Sequence, residues 1–172
     1  MKVMDIFDVL FLLLAGTLYY LVFPGIPIAD GMKPYVSLAI LFILLIMKKD
    51  FRLILLSAFF LGLLTTMTSS LAEGAWINLL EKPITAILLY YILGILEEKL
   101  DLGNICLVLL FSFIGVISSG FIFVGLIAIF HTMPASLLVL VKRAIVPSVL
   151  LNLGATYVLY VSFRFANKAV ES

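Results

Sequence analysis

The chain has 172 residues, of which 65% are hydrophobic and 12% charged, and its formal net charge is +1; its mean hydropathy is +1.30. Ordinary soluble domains are about 45–50% apolar and about 25% charged, so this balance excludes a soluble fold and places the chain in a lipid bilayer, while the small net charge leaves no basic face for nucleic acid. One cysteine, Cys106, allows no disulfide within the chain and, inside an apolar run, reads as a small core residue; the single His131 has no Cys, His or carboxylate near it in sequence, so no metal site and no cofactor is expected.

The first apolar run, 6–23, has only Lys2 ahead of it, with Asp5 and Asp8 close behind that lysine. One cation is too few for a secretion signal, and Pro27 stands at −3 to Ala29, where a cleavage site needs a small residue, so the run reads as a retained span. Phe23-Pro24-Gly25-Ile26-Pro27 follows it and is not helical throughout; it reads as a loop poised to act as a lid. The second run, 34–47, is short for a hydrocarbon core of about 30 Å, which takes about 20 residues, and residues 31–33 extend it. The third covers 51–67, the fourth 75–96 and the fifth 105–130. The last, 134–165, is divided by Lys142 and Arg143 into a lead-in and a span from about residue 144. Six helices account for these runs; a seventh arises if 134–141 makes its own partial crossing. The whole of 1–172 is expected to be one integral membrane domain.

Loop charges then orient the bundle. With the N-terminus inside, six spans leave Lys2, Lys48, Lys49, Arg52, Lys99, Arg164 and Lys168 inside and Lys33, Lys82, Lys142 and Arg143 outside. The positive-inside rule favours this arrangement, with both termini cytoplasmic. The outer cations are the unusual ones: Lys33 precedes Pro34, Lys82 precedes Pro83, and Lys142-Arg143 lies ahead of Pro147, all at or near the starts of apolar runs. A cation within lipid costs at least about 2.5–3.5 kcal/mol, so the three places are expected to belong to one binding site.

Residues at i, i+3, i+4 and i+7 share a helical face. In the fourth run those positions hold Asn78, Glu81, Lys82 and Thr85; the third has Gly62, Thr65, Thr66 and Ser69; the sixth has Ser148, Asn152 and Thr156; the second opens with Lys33 and Ser37. Such stripes turn toward protein or a wet cavity rather than lipid. Stripes of Ser, Thr and Gly also serve plain helix packing, the reading given to Gly115 and Ser119. Lysine at a helix start opposes the helix dipole unless an anion is present, and exposed N–H groups there attract anions. Lys33 and Lys82 thus suit a carboxylate, Glu81 an ammonium (or an internal pair with Lys82), and the whole a zwitterion. Trp76 reads as an interfacial anchor, with an aromatic pocket wall as the alternative.

Gly31-Met32-Lys33-Pro34, Leu64-Thr65-Thr66, Asn78-Leu79-Leu80-Glu81-Lys82-Pro83, and Pro147 followed by Leu151-Asn152 resemble, in order and spacing, the bacterial tryptophan transporter family TrpP. That family is similar in build to the S components of energy-coupling-factor transporters. The resemblance implies an all-α membrane protein, a compact bundle of six transmembrane helices. It also implies uptake of L-tryptophan across a bacterial plasma membrane, with the substrate held near the outer face beneath the loops after the first and third helices. The expected site comprises Lys33, Thr65, Thr66, Asn78, Glu81, Lys82 and Asn152, with the two asparagines giving amide hydrogen bonds. An energy-coupling-factor module is an implied partner. Small residues four apart on the first helix, by which S components dock, are not the pattern here: Leu12 pairs with Gly16 and Ala15 with Tyr19, while Ala58 and Gly62 lie on the third helix. Tyr35 stands after the first Lys-Pro, where the family commonly has an acidic residue.

Other readings are an accessory or scaffold subunit whose stripes only pack helices, and an S component for another small solute driven by a separate ATPase module. A serine–histidine membrane protease needs a different spacing from that of Gly115–Gly120 and His131, and a glutamate-based one at Glu97-Glu98 lacks its downstream arginine. The chain is therefore not expected to be an enzyme. It carries no Gly-x-x-x-x-Gly-Lys-Ser/Thr motif, so any ATP-driven step lies elsewhere.

Overall fold

The structure, a computed structural model, describes residues 3–22, 35–68, 74–97, 105–130 and 145–171. They form α1 (Val3–Val22), α2 (Val36–Lys48), α3 (Phe51–Thr68), α4 (Ile77–Glu97), α5 (Ile105–Phe130) and α6 (Val146–Glu171), with no strand among the described residues. The chain is an all-α membrane protein. α3 to α6 each contain a stretch long and apolar enough to cross a bilayer; the apolar stretches of α1 and α2 are shorter. The seventh crossing considered at 134–141, the lid loop at 23–27 and the extension at 31–33 lie outside the described residues.

Local chemistry sets the boundaries. α2 is closed by Lys49, just past its last residue, whose φ of 50° puts it in the left-handed conformation that ends helices. Asp50 follows and its Oδ1 accepts the N–H groups of Arg52 and Leu53 at 3.0 and 3.3 Å, capping α3. Before α4, Gly74, Ala75 and Trp76 form a turn whose carbonyls accept from Ile77, Asn78 and Leu79, so the helix begins two residues later than its apolar run. Pro147 falls in the first turn of α6, where its missing N–H costs no helical bond.

α2 is the axis of the bundle. It is 13 residues long, about 20 Å at 1.5 Å per residue, and every side chain from Ser37 to Ile46 is buried. A helix apolar on all sides is stable only when surrounded, and here all five other helices touch it. Around it run α1, α3, α4, α5 and α6, each packed on the next, but α6 and α1 do not close the ring. Phe51 meets Tyr90 while Gly62 meets Asn78, so α3 and α4 are antiparallel; Gly120, late in α5, faces Ile145 just before α6; and Tyr35 at the start of α2 meets Lys82 of α4 and Asn152 of α6. α2, α4 and α6 therefore begin at one end of the bundle.

Phe11, Phe59, Tyr91, Phe121 and Leu150 point outward from the outer helices, the inverse of a water-soluble surface. Glycine allows the closest approaches: a Cβ on Gly62 would lie 2.7 Å from the Asn78 carbonyl oxygen. The Ala58/Gly62 pair of α3 is thus used inside the chain, against α4. Cys106 is not a core residue but is exposed. Leu107, Val108 and Phe111 hold the buried face of α5, and Cys106, next to Leu107 in the first turn, projects outside it.

Candidate functional site

The polar stripe of α4 meets three other helices at the end where α2, α4 and α6 begin. Glu81 is fully buried and Lys82 is 6% exposed. Their side chains form an ion pair, with Lys82 Nζ 2.6 Å from Glu81 Oε2. Beyond this ammonium, Oε2 has no hydrogen-bond partner among the described residues. The other carboxylate oxygen, Oε1, accepts the Thr85 hydroxyl at 2.8 Å, one turn along the helix.

Lys82 reaches beyond α4 on its other side. Nζ donates to Ser119 Oγ of α5 at 3.3 Å and lies 5.5 Å from the centre of the Tyr35 ring, at the start of α2. The backbone N–H of Tyr35 in turn donates to Asn152 Oδ1 of α6 at 3.1 Å, and Asn152 Nδ2 donates to the Ser148 carbonyl at 2.8 Å. One ammonium thus links α4 to α5 and α2, and Asn152 links α2 to α6. Deeper in the bundle the buried hydroxyls of Ser112 and Thr156 share a hydrogen bond of 2.9 Å between α5 and α6.

The remaining expected site residues are arranged differently. Thr65 donates to the Leu61 and Gly62 carbonyls, Thr66 to those of Gly62 and Ala75, and Asn78 Nδ2 to that of Ala75. These three join the end of α3 to the start of α4, and their donors are engaged by backbone. Lys33, Lys142, Arg143, Ser69 and His131 lie outside the described residues. Glu81, Lys82 and Asn152 are therefore the members gathered around Tyr35, with Thr65, Thr66 and Asn78 on the adjoining helix junction. Trp76, half-exposed at that junction, packs edge-on against Phe130 with ring centres 5.1 Å apart.

Sequence reasoning missed two participants. Ser119 reads as a packing residue beside Gly115; Gly115 does pack, on Phe42, but Ser119 accepts from Lys82. Its spacing of seven from Ser112 marks a polar face of α5 and was the available signal. Tyr35 stands out in the sequence only as a departure from the family pattern.

A cavity of about 680 Å³ lies elsewhere, in the gap between α1 and α6 over α2. Leu12, Gly16, Ile40, Leu151, Ala155 and Leu159 are among its largely apolar walls, and none of the expected site residues lines it. It suits an apolar occupant, whereas the charged groups are gathered around the top of α2.

Comparison with known proteins finds relatives over most of the chain. The family described as "Tryptophan transporter TrpP" matches residues 2–168. The chain is similar to a protein of Clostridium perfringens named "Probable tryptophan transport protein", with 29% identity over 87% of this chain and 85% of the relative. Proteins with the same printed name in Clostridium acetobutylicum and Bacillus subtilis are 26% and 22% identical, covering 84% and 78% of this chain and 83% and 76% of theirs. No solved structure gives a significant match.

Proposed function

Because this chain belongs to the TrpP tryptophan transporter family, we propose that it takes up L-tryptophan, binding the zwitterion among its helices at the outer end of the bundle. The family is one of transporters, and the protease readings fall away with it. The observation that carries the proposal is the buried Glu81–Lys82 pair. A pair of charges removed from water is costly to place and gives little net stability, and ionisable groups within a membrane mark substrate or ion paths.

In this reading Lys82, with Lys33, holds the carboxylate, and Glu81 takes the ammonium. Asn78 and Asn152 supply amide contacts, and Thr65 and Thr66 shape the α3–α4 edge. The starts of α2, α4 and α6 lie at that end of the bundle, and helix N-termini favour an anion. The loop charges support an opening on the extracytoplasmic face with both termini inside. Transport that is facilitated, ion-coupled or driven by separate ATPase subunits such as an energy-coupling-factor module is compatible with this reading.

A thermal-shift panel of the amino acids on purified protein tests the substrate. Tryptophan at a hundredfold excess over its Kd should stabilise the fold by about 2.7 kcal/mol, and Lys82→Ala should abolish that shift while the protein still inserts. A shift given by another solute and not by tryptophan overturns the assignment. The rival scaffold reading, favoured by the backbone-bonded hydroxyls of Thr65 and Thr66, expects no amino acid to act.

A further inference from the structure

We propose that the Glu81–Lys82 pair works as a charge-balance filter: it admits a ligand that carries carboxylate and ammonium together and refuses one that carries either alone. The inference rests on the tryptophan reading above and concerns how that same site rejects near relatives of its substrate.

The pair is neutral as a unit and its two charges are not free to part. They are consecutive residues on one helix, and each is held on its far side by a different group: Glu81 Oε1 by the Thr85 hydroxyl, Lys82 Nζ by Ser119 Oγ and the Tyr35 ring. Between them Nζ lies 2.6 Å from Oε2, a buried oxygen with no further hydrogen-bond partner among the described residues. A donor delivered to Oε2 shares that oxygen with the Lys82 ammonium, 2.6 Å away, and so feels both charges of the pair at once. An ammonium arriving alone would meet Glu81 at the cost of lying beside the Lys82 ammonium and leaving the site with a net positive charge. A lone carboxylate meets the mirror problem at Glu81. A zwitterion laid against the pair brings one of each, so every charge has an opposite neighbour and the site stays neutral. An uncompensated charge in a low-dielectric interior is what makes the wrong ligand expensive, and refusal by unpaired charge is a recognised route to specificity.

The test uses the full chain purified in detergent, with labelled tryptophan competed by tryptamine, which lacks the carboxylate, and by indole-3-propionate, which lacks the ammonium. On wild type each competitor should bind at least about thirtyfold more weakly than tryptophan, the lower end of the effect of unpairing a buried charge. The selectivity should then invert in single variants. Lys82→Met leaves Glu81 alone and should prefer tryptamine to tryptophan; Glu81→Gln leaves Lys82 alone and should prefer indole-3-propionate. Either analogue binding wild type within about tenfold of tryptophan overturns the filter, a result that needs no variant to fold and leaves the tryptophan reading standing. Folded variants that lose tryptophan without gaining the matching analogue also overturn it. Wild type that binds no tryptophan, or Lys82→Met that binds it unchanged, overturns the site reading itself and the filter with it.

Discussion

The ring of Phe42 rests on Gly115, so closely that a Cβ built at position 115 would lie 2.6 Å from Cζ and 2.8 Å from Cε1. This contact seats the axial helix α2 on α5. It falls on the same face of α5 as Ser112 and Ser119, so an aromatic ring lies between the Lys82–Ser119 contact and the Ser112–Thr156 pair. Phe42 is fully buried and has nowhere to retreat. Gly115→Ala should therefore lower stability by about 1–3 kcal/mol through overpacking, read as a fall in Tm in detergent. Phe42→Leu combined with Gly115→Ala should recover part of the loss. An unchanged Tm in Gly115→Ala would show that the ring does not sit on the glycine.

Asn152 ties α6 to the start of α2 through the Tyr35 N–H. Asn152→Leu leaves that donor unmet in a part-buried place, for which about 1–3 kcal/mol is the usual range and about 1 kcal/mol the expectation. Because Tyr35 also carries the Lys82 ammonium over its ring, the same variant should weaken tryptophan binding. Affinity equal to wild type in a destabilised variant would confine Asn152 to holding helices together.

Asp50 gives a pH prediction outside the membrane-spanning segments. The Leu53 N–H, with a smaller contribution from that of Arg52, holds its carboxyl below the ordinary carboxylate value. A lowered folded-state pKa stabilises the fold above the unfolded value of about 3.9 and stops doing so as pH falls. Asp50→Asn keeps a capping oxygen without the charge. Between about pH 5 and pH 3 the Tm of wild type should fall further than that of Asp50→Asn. Parallel curves for the two proteins would remove Asp50 from the acid response.

Topology is tested directly. Seven of the eleven Lys and Arg residues fall on the inner side when both termini are cytoplasmic, which the positive-inside rule favours. Reporter fusions after Met47 and after Ser70 should read inside and outside respectively. The reverse result would turn the end carrying Glu81 and Lys82 toward the cytoplasm.

Much of the fold is legible in the sequence. α5 occupies the run 105–130, and α3 and α4 match theirs to within two residues, because a bilayer demands long apolar helices and allows little else. The unusual charge of α4 is legible for the same reason: among Ile, Leu and Ala, neighbouring Glu81 and Lys82 have few ways to be satisfied. The capping of α3 by Asp50 and the close approach at Gly62 are likewise matters of residue type acting locally or across one short connection.

Which face meets which neighbour is settled by packing in three dimensions. In water, hydropathy separates inside from outside. In lipid an apolar side chain is equally content facing a tail or another helix, so hydropathy does not distinguish exposed Phe121 from buried Phe111 on the same helix. The sequence therefore gives no sign that the shortest helix, α2, is the axis, that Cys106 faces outward, or that the cavity opens between α1 and α6 rather than at the charged stripe. Nor does it pair Lys82 with Ser119, 37 positions away. Periodicity along one helix names a face, but the partner of that face is set by packing among all six, and the ammonium finds its oxygen only once α5 is in place.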